Sequence, residues 1–148
     1  MHEKPKLTIA IDGPSGSGKS SVSKEVARHF GLAYLDTGAM YRAATWYVLE
    51  RGIDLADAEA ISQAVVEMPL VFGTNIKEEE ILIGSTDVRE QIRSERVSAA
   101  VSAVASVPAV REHLIGLQRW AIGHAVNGIV AEGRDITTVV APDADARI

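Results

Sequence analysis

The sequence has no cysteine, and aromatic residues make up only 5% of its 148 residues. Without cysteine, neither disulfide bonds nor thiolate metal sites are available. The N-terminal segment MHEKPK is charged and lacks the apolar stretch of a signal peptide. No apolar run approaches the roughly 20 residues that span a bilayer. These absences predict a cytoplasmic protein with no membrane partner.

Basic charge is also scarce, since the formal net charge is −5. A general nucleic-acid binder normally carries a basic face, so this balance argues against that class. It does not argue against a bound mononucleotide, whose phosphates need only a few local arginines. With 47% apolar and 24% charged residues, the composition is that of a soluble globular protein with one hydrophobic core.

A glycine-rich segment near the N-terminus carries the clearest chemistry. Residues 13–20 read GPSGSGKS and match the P-loop pattern G-x-x-x-x-G-K-[ST]. The backbone amides of such a loop surround phosphate oxygens, Lys19 can reach the β and γ phosphates, and the Ser20 hydroxyl can ligate Mg²⁺. The alternative is a Gly/Ser-rich turn that binds nothing. A strand before the motif and a helix after it favour nucleoside triphosphate binding.

Periodicity places strands and helices in alternation along the chain. Strands are predicted at 7–11, 32–35, 129–131 and 146–148. Helices are predicted at 21–30 and 39–51, with a third through about 67, and then from 94 and from 106 to about 125. Asp54 and Asp57 are both suitable N-caps for the third helix. Short β-like runs at 70–72 and 81–83 predict a small hairpin or meander inserted into a larger α/β unit. The alternation indicates a parallel, doubly wound sheet.

Serines recur at every fourth position of the predicted helix that begins near residue 94, namely Ser94, Ser98, Ser102 and Ser106. Such a row is usually a solvated face of a helix. The competing interpretation is a helix that lines a polar ligand groove.

Four arginines on separate elements are candidates for a second phosphate site: Arg42, Arg93, Arg111 and Arg134. Each alone is more often a surface residue. Arg42 and Arg134, however, follow predicted strands, where open α/β sheets bind ligands. Because guanidinium groups suit phosphate, they predict an acceptor phosphate opposite the P-loop. This favours phosphoryl transfer, and no Asn-Lys-x-Asp segment indicates a GTPase.

Glu132 ends the predicted strand 129–131. A carboxylate there can hold Mg²⁺ directly or through water. An exposed strand-end acid without such a role is the alternative. The four histidines have no metal-ligand spacing and receive no role.

Together, these segments closely resemble the bacterial cytidylate kinases, a family of P-loop nucleoside monophosphate kinases. The resemblance rests on IDGPSGSGKS at 11–20, LDTGAMYR at 35–42, VRE at 110–112 upstream of Gln118-Arg119, and EGRDITTVV at 132–140. It implies a three-layer α/β P-loop kinase fold with a central parallel sheet. It also implies that 1–148 is a kinase core containing a nucleoside-monophosphate-binding insert region at 53–105, with a β-rich part at about 69–88.

The resemblance further implies Mg²⁺-dependent transfer of the γ-phosphoryl group of ATP to CMP or dCMP by a monomeric enzyme. It assigns catalysis to Lys19, Arg42, Arg134 and Asp135, and Mg²⁺ to Ser20 and Glu132. It assigns ATP to Gly13, Pro14, Ser15, Gly16, Ser17, Gly18, Lys19, Ser20 and Ser21. It assigns CMP to Asp36, Thr37, Tyr41, Arg42, Arg93, Ser102, Arg111, Arg134 and Asp135, with Ser102 and Arg111 facing the cytosine.

The chain departs from this family at its C-terminal end, where family members continue with a further strand, a mobile arginine-bearing lid, and a last strand and helix. We therefore expect a truncated chain with weak activity or none. Two alternatives stay open: a P-loop kinase for another small acceptor such as UMP, and a non-catalytic nucleotide-binding module.

Overall fold

The computed structural model describes residues 6–13 and 18–148. These residues form two compact units. The first contains the described residues up to Gly38, together with Thr74–Glu79 and Leu117–Ile148. The second contains Ala39–Gly73 and Glu80–Gly116. Most of the predicted insert region 53–105 lies in the second unit, and its functional separation from a kinase core stays a prediction.

The strands and helices alternate for much of the chain. The strands are β1 (Leu7–Asp12), β2 (Ala33–Asp36), β3 (Leu70–Phe72), β4 (Ile81–Ile83), β5 (Thr86–Asp87), β6 (Gly128–Gly133) and β7 (Ala146–Arg147). The helices are α1 (Lys19–Phe30), α2 (Thr37–Glu50), α3 (Ala58–Glu67), α4 (Glu95–Ala105) and α5 (Pro108–His124). A short 3-10 turn covers Gln91–Arg93, and a π-helical turn covers Ile136–Val140.

A parallel sheet with the strand order β2-β6-β1-β7 forms the centre of the first unit. This arrangement confirms the predicted α/β fold class with a central parallel sheet. All six residues of β6 are buried, as expected for an inner strand of a parallel sheet. In the register, Glu132 lies beside Ile11 of β1 and Asp36 of β2. The carboxyl ends of these three strands therefore meet at one edge.

Helix α1 packs on the sheet through a small hydrophobic cluster. The cluster combines Ala27 of α1 and Leu32 with residues of three strands, namely Ile9 and Ile11 of β1, Val130 of β6 and Tyr34 of β2. Gly31 ends the helix in the left-handed conformation (φ +66°), which glycine adopts at little cost. This confirms the predicted helix end. Val22 and Phe30 share helical spacing with the apolar residues but are 55% and 57% exposed, so only part of the apolar stripe packs inward.

The second unit contains the predicted hairpin as part of an antiparallel meander, β3-β4-β5. Val97, Ala100 and Val104 form the buried face of α4, as their spacing predicts. The row of serines on the neighbouring face is exposed throughout. Ser94 accepts a hydrogen bond from the Val97 amide as the N-cap of this helix.

Helix α2 begins two residues before the predicted start at 39. Thr37 and Gly38 are its first residues rather than part of a connecting loop. The sequence DTG resembles a turn, but β2 passes directly into the helix. In the described residues, no helix is both long and apolar enough to cross a membrane.

Asp57 provides a test of the third helix. Its carboxylate caps α3 by accepting the Ala60 amide at 3.1 Å. We expect Asp57→Ala to lower the free energy of unfolding by about 1 kcal/mol, because the amide loses its acceptor. Urea unfolding followed by circular dichroism measures the change. Asp57→Asn retains a capping oxygen and should be close to the parent protein; equal losses in both variants would contradict the capping role.

Candidate active site at the carboxyl edge of the parallel sheet

The N-terminal end of α1 has the features of an anion-binding site. Gly18 is the N-cap residue, with φ +80°, and has no side chain to occupy the first-turn amides. None of the first-turn residues, all of which are described, is acidic. Amide groups at such a helix end attract phosphate. Lys19 is the first residue of the helix and is partly buried, while Ser20 and Ser21 are exposed. Of the other predicted ATP contacts, Pro14, Ser15, Gly16 and Ser17 lie outside the described residues.

Glu132 is the best-buried acid of this edge, with 1% of its surface exposed. The Ser20 hydroxyl donates a hydrogen bond to its Oε1 atom at 2.8 Å. The Tyr34 hydroxyl donates to the same oxygen. The exposed strand-end acid considered as an alternative is therefore wrong.

The second carboxylate oxygen of Glu132 is buried and accepts no hydrogen bond from any described residue. A buried carboxylate oxygen without a partner is costly, and a cation would offset the cost. The Ser20 hydroxyl and the Glu132 carboxylate are hard oxygen donors of the kind that Mg²⁺ prefers. Within 6–13 and 18–148, no cluster of three or more His, Asp or Glu side chains could hold a metal. Magnesium bound by few side chains, with phosphate and water completing its shell, fits this donor set.

Burial raises the pKa of the Tyr34 phenol well above its ordinary value, and the neighbouring charges of Asp36 and Glu132 raise this pKa further. The phenol therefore stays protonated at physiological pH. It remains a hydrogen-bond donor to Glu132.

The backbone of the EGRD segment is fixed against β1 and α2. The Thr37 hydroxyl donates to the Glu132 carbonyl at 2.8 Å, and the Gly13 amide donates to the Gly133 carbonyl at 3.2 Å. A Cβ atom at position 133 would overlap the Thr37 hydroxyl. Only glycine therefore allows this close approach of the strand end to the start of α2.

Asp12, at the end of β1, holds the turn that follows β6. Its carboxylate accepts the Ile136 amide at 2.7 Å, the Thr137 amide at 3.1 Å and the Thr137 hydroxyl at 2.5 Å. Immediately before these residues, Asp135 has φ +60° and is the one non-glycine residue with positive φ in the described chain. Backbone in this region is strained and persists only where its surroundings enforce it. Asp12 supplies that enforcement.

Arg119 of α5 holds the far end of the same turn. Its guanidinium donates to the carbonyl of Val139 at 2.6 Å and to that of Val140 at 3.3 Å. Charged donors at the last carbonyls of a helical turn satisfy acceptors that otherwise lack partners. The turn that carries Arg134 and Asp135 is thus fixed at both ends.

The residues predicted to bind CMP divide between the two units. Asp36, Thr37, Arg134 and Asp135 belong to the first unit, where Thr37 is buried and the other three are exposed. The second unit contains Tyr41, Arg42, Arg93, Ser102 and Arg111. Arg93 and Ser102 are exposed, and the remaining three are partly buried. Their contacts with CMP stay predictions.

Sequence reasoning missed Tyr34 and the role of Asp12. Asp12 precedes the P-loop motif, and its partners lie 124 and 125 residues later in the chain. The signal that could have found it was a carboxylate at the end of an apolar strand. Tyr34 resembled an ordinary core residue in the sequence. The signal that could have identified it was its position two residues before Asp36, which places both side chains on the same face of the strand.

Known proteins match this chain over nearly all of its length. The family model described as cytidylate kinase matches residues 9–148. A cytidylate kinase of Rhodococcus opacus is 56% identical over 142 residues, which cover 96% of this chain and 62% of the relative. A cytidylate kinase of Nocardia farcinica is 52% identical over 148 residues, covering 100% of this chain and 63% of the relative. The chain thus spans a little over three fifths of the length of these curated relatives.

Gly133→Ala tests the close approach at the strand end. We expect a loss of about 1–3 kcal/mol in the free energy of unfolding, because the new methyl group displaces the Thr37 hydroxyl from the Glu132 carbonyl. Urea unfolding measures this loss. Gly116→Ala is the matched control, since a Cβ there meets no described atom within 4 Å outside its own helix. It should stabilise α5 by up to about 1 kcal/mol. The same sign for both variants would refute the packing argument.

Proposed function

Because the chain belongs to the cytidylate kinase family, we propose that the protein transfers the γ-phosphoryl group of ATP to CMP or dCMP, giving CDP or dCDP. The reaction requires Mg²⁺. The predicted monomeric state and cytoplasmic location are part of this proposal.

One observation carries the proposal: the Ser20 hydroxyl of the P-loop motif donates to the buried Glu132 at 2.8 Å. In a Gly/Ser-rich turn without a ligand, a contact between the last serine and a buried acid is not expected. In a P-loop kinase this contact is expected, because the serine and the acid together hold the cation that accompanies the nucleotide. The pair therefore favours a nucleotide site over a structural turn.

On the donor side, the chain contributes position and positive charge. The first-turn amides of α1 and the Lys19 ammonium would bind the β and γ phosphates. When bound, Mg²⁺ would be held by Ser20 and Glu132 and would offset charge on the phosphate oxygens.

On the acceptor side, no side chain needs to remove a proton, because the attacking atom is already an anionic phosphate oxygen. Arg42 and Arg134 would bind the CMP phosphate through paired hydrogen bonds. Ser102 and Arg111 would contact the cytosine, with Arg93 as a further CMP contact. Asp36 and Asp135 would orient the arginines and water. The side chains would therefore contribute by aligning the two nucleotides and by compensating the negative charge of their phosphates.

The experiment that tests the proposal is Mg-ATP turnover by the 148-residue chain against CMP, dCMP, UMP and AMP, with nucleotide binding followed by calorimetry. Turnover selective for CMP and dCMP supports the proposal. Selective CMP binding without turnover favours a non-catalytic nucleotide-binding module. Preference for UMP favours a kinase for another acceptor. Absence of selective binding would overturn the proposed acceptor.

Two reciprocal variants separate the donor site from the acceptor site. We expect Arg111→Ala to weaken CMP binding by about tenfold or more and to leave ATP binding nearly unchanged, because the proposed role of this side chain is to contact the cytosine and not ATP. Lys19→Ala should do the reverse. Isothermal titration of both variants with both nucleotides measures the four affinities. Equal losses for CMP and ATP in Arg111→Ala would show that the base site is elsewhere.

A further inference from the structure

Tyr34 has a place in the first unit that packing alone does not explain. Its ring belongs to the hydrophobic cluster under α1, and 5% of the residue is exposed. Its hydroxyl leaves that apolar cluster and donates to Oε1 of Glu132. Phenylalanine would fill the same space without a polar atom, so the hydroxyl has a role beyond core packing.

The strand register explains how the hydroxyl reaches Glu132. Tyr34 of β2 lies beside Val130 of β6, and Asp36 lies beside Glu132. Successive side chains alternate between the faces of a sheet, so Tyr34 and Glu132 share the face covered by α1 and are diagonal neighbours. A tyrosine is long enough to span that diagonal.

Further contacts fix the ring and backbone of Tyr34. Its amide donates to the Thr74 carbonyl at 2.8 Å. The Lys24 ammonium lies 5.8 Å from the ring centroid and forms an ion pair with Glu79. Because the ring is packed in the cluster under α1 and the residue is only 5% exposed, its side-chain rotamer is restricted. The direction of its hydroxyl is therefore set before any ligand binds.

The two oxygens of Glu132 consequently differ. Oε1 accepts both hydroxyl hydrogen bonds, from Ser20 and Tyr34. Oε2 is buried and has no hydrogen-bond donor among the described residues. A carboxylate fixed through one oxygen presents the other in a defined direction. The Ser20 oxygen keeps lone pairs for a cation while its proton points to Oε1.

We propose that Tyr34 is a positioning residue for the magnesium site: its hydroxyl fixes Oε1 of Glu132, so that Oε2 faces the cation or a water in the cation's shell. This inference rests on the proposed function, because it needs a metal–nucleotide complex at the P-loop. It assigns Tyr34 no contact with substrate and no proton transfer.

The test measures metal binding directly, with Mn²⁺ as the probe because it takes the same oxygen ligands as Mg²⁺. The free Mn²⁺ signal in electron paramagnetic resonance is titrated with the ADP complex of the parent chain and of Tyr34→Phe. We expect Tyr34→Phe to bind Mn²⁺ about tenfold more weakly, the usual scale for losing a partner of a metal ligand. ADP affinity without metal should be unchanged.

Tyr47→Phe is the matched control, since it removes the hydroxyl of another buried tyrosine, one in the second unit. It should leave Mn²⁺ affinity unchanged. A second control asks whether Tyr34 acts through Glu132. In the Glu132→Gln background, Tyr34→Phe should have little additional effect on Mn²⁺ affinity, because variants that act through one group are not additive.

Each outcome decides one question. If the parent chain binds ADP without retaining Mn²⁺, the proposed function loses its metal site. If the parent chain retains Mn²⁺ and Tyr34→Phe retains it equally, only the present inference is overturned. A thermal shift in Tyr34→Phe with unchanged Mn²⁺ affinity also overturns the inference, because it marks the hydroxyl as purely structural.

A variant that fails to fold is replaced by a measurement on the parent chain. Its three tyrosines are labelled with ¹³C at Cζ, and Tyr47→Phe helps to assign the signals. Addition of Mg²⁺ to the ADP complex should shift the Tyr34 signal, because the charge on Glu132 is redistributed. An unmoved Tyr34 signal would overturn the inference.

Discussion

Burying a carboxylate at the end of a parallel strand imposes a constraint that the first unit satisfies from three sides. Charge removed from water must be compensated by hydrogen bonds or by a cation. Around Glu132, Ser20 comes from α1, Tyr34 from β2, and Thr37 binds the carbonyl of the same residue from α2. The position of the start of α1 and that of the connection from β2 to α2 are thereby both fixed by contacts with the same residue, Glu132. Changing the Glu132 side chain would remove its contacts with α1 and β2, whereas the Thr37 bond to the backbone carbonyl would remain.

Asp12 is the counterpart of Glu132 on the neighbouring strand, but its partners all belong to the turn that follows β6. Two amides and the Thr137 hydroxyl satisfy it, so it needs no cation to compensate its charge. Its effect is geometric, since it maintains the positive φ of Asp135. Adjacent acids at one sheet edge thus differ: Glu132 has one buried oxygen without a hydrogen-bond donor among the described residues, whereas Asp12 stabilises the turn at Ile136–Val140.

The sequence predicted the elements of this fold well because their signals are local. Strand and helix periodicity is read within a few residues, and the strands and helices that it predicts are present in the structure. The beginning of α2 at Thr37 was missed because a strand passing directly into a helix resembles a turn in sequence. The hydrogen bond between Tyr34 and Glu132 was missed for another reason. It depends on which distant segments lie beside a residue, and no local pattern carries that information.

The chain order of the first unit has a consequence for folding. Ser20 and Glu132 are separated by 112 positions, and the whole second unit lies between the segments that hold them. Bringing such distant segments together costs loop entropy before any contact repays it. During synthesis, residues 39–116 leave the ribosome before residues 128–133 do, so the second unit has all of its residues while β1 still lacks its neighbour β6. The contact between Ser20 and Glu132 is therefore formed late, after most of the molecule has been made.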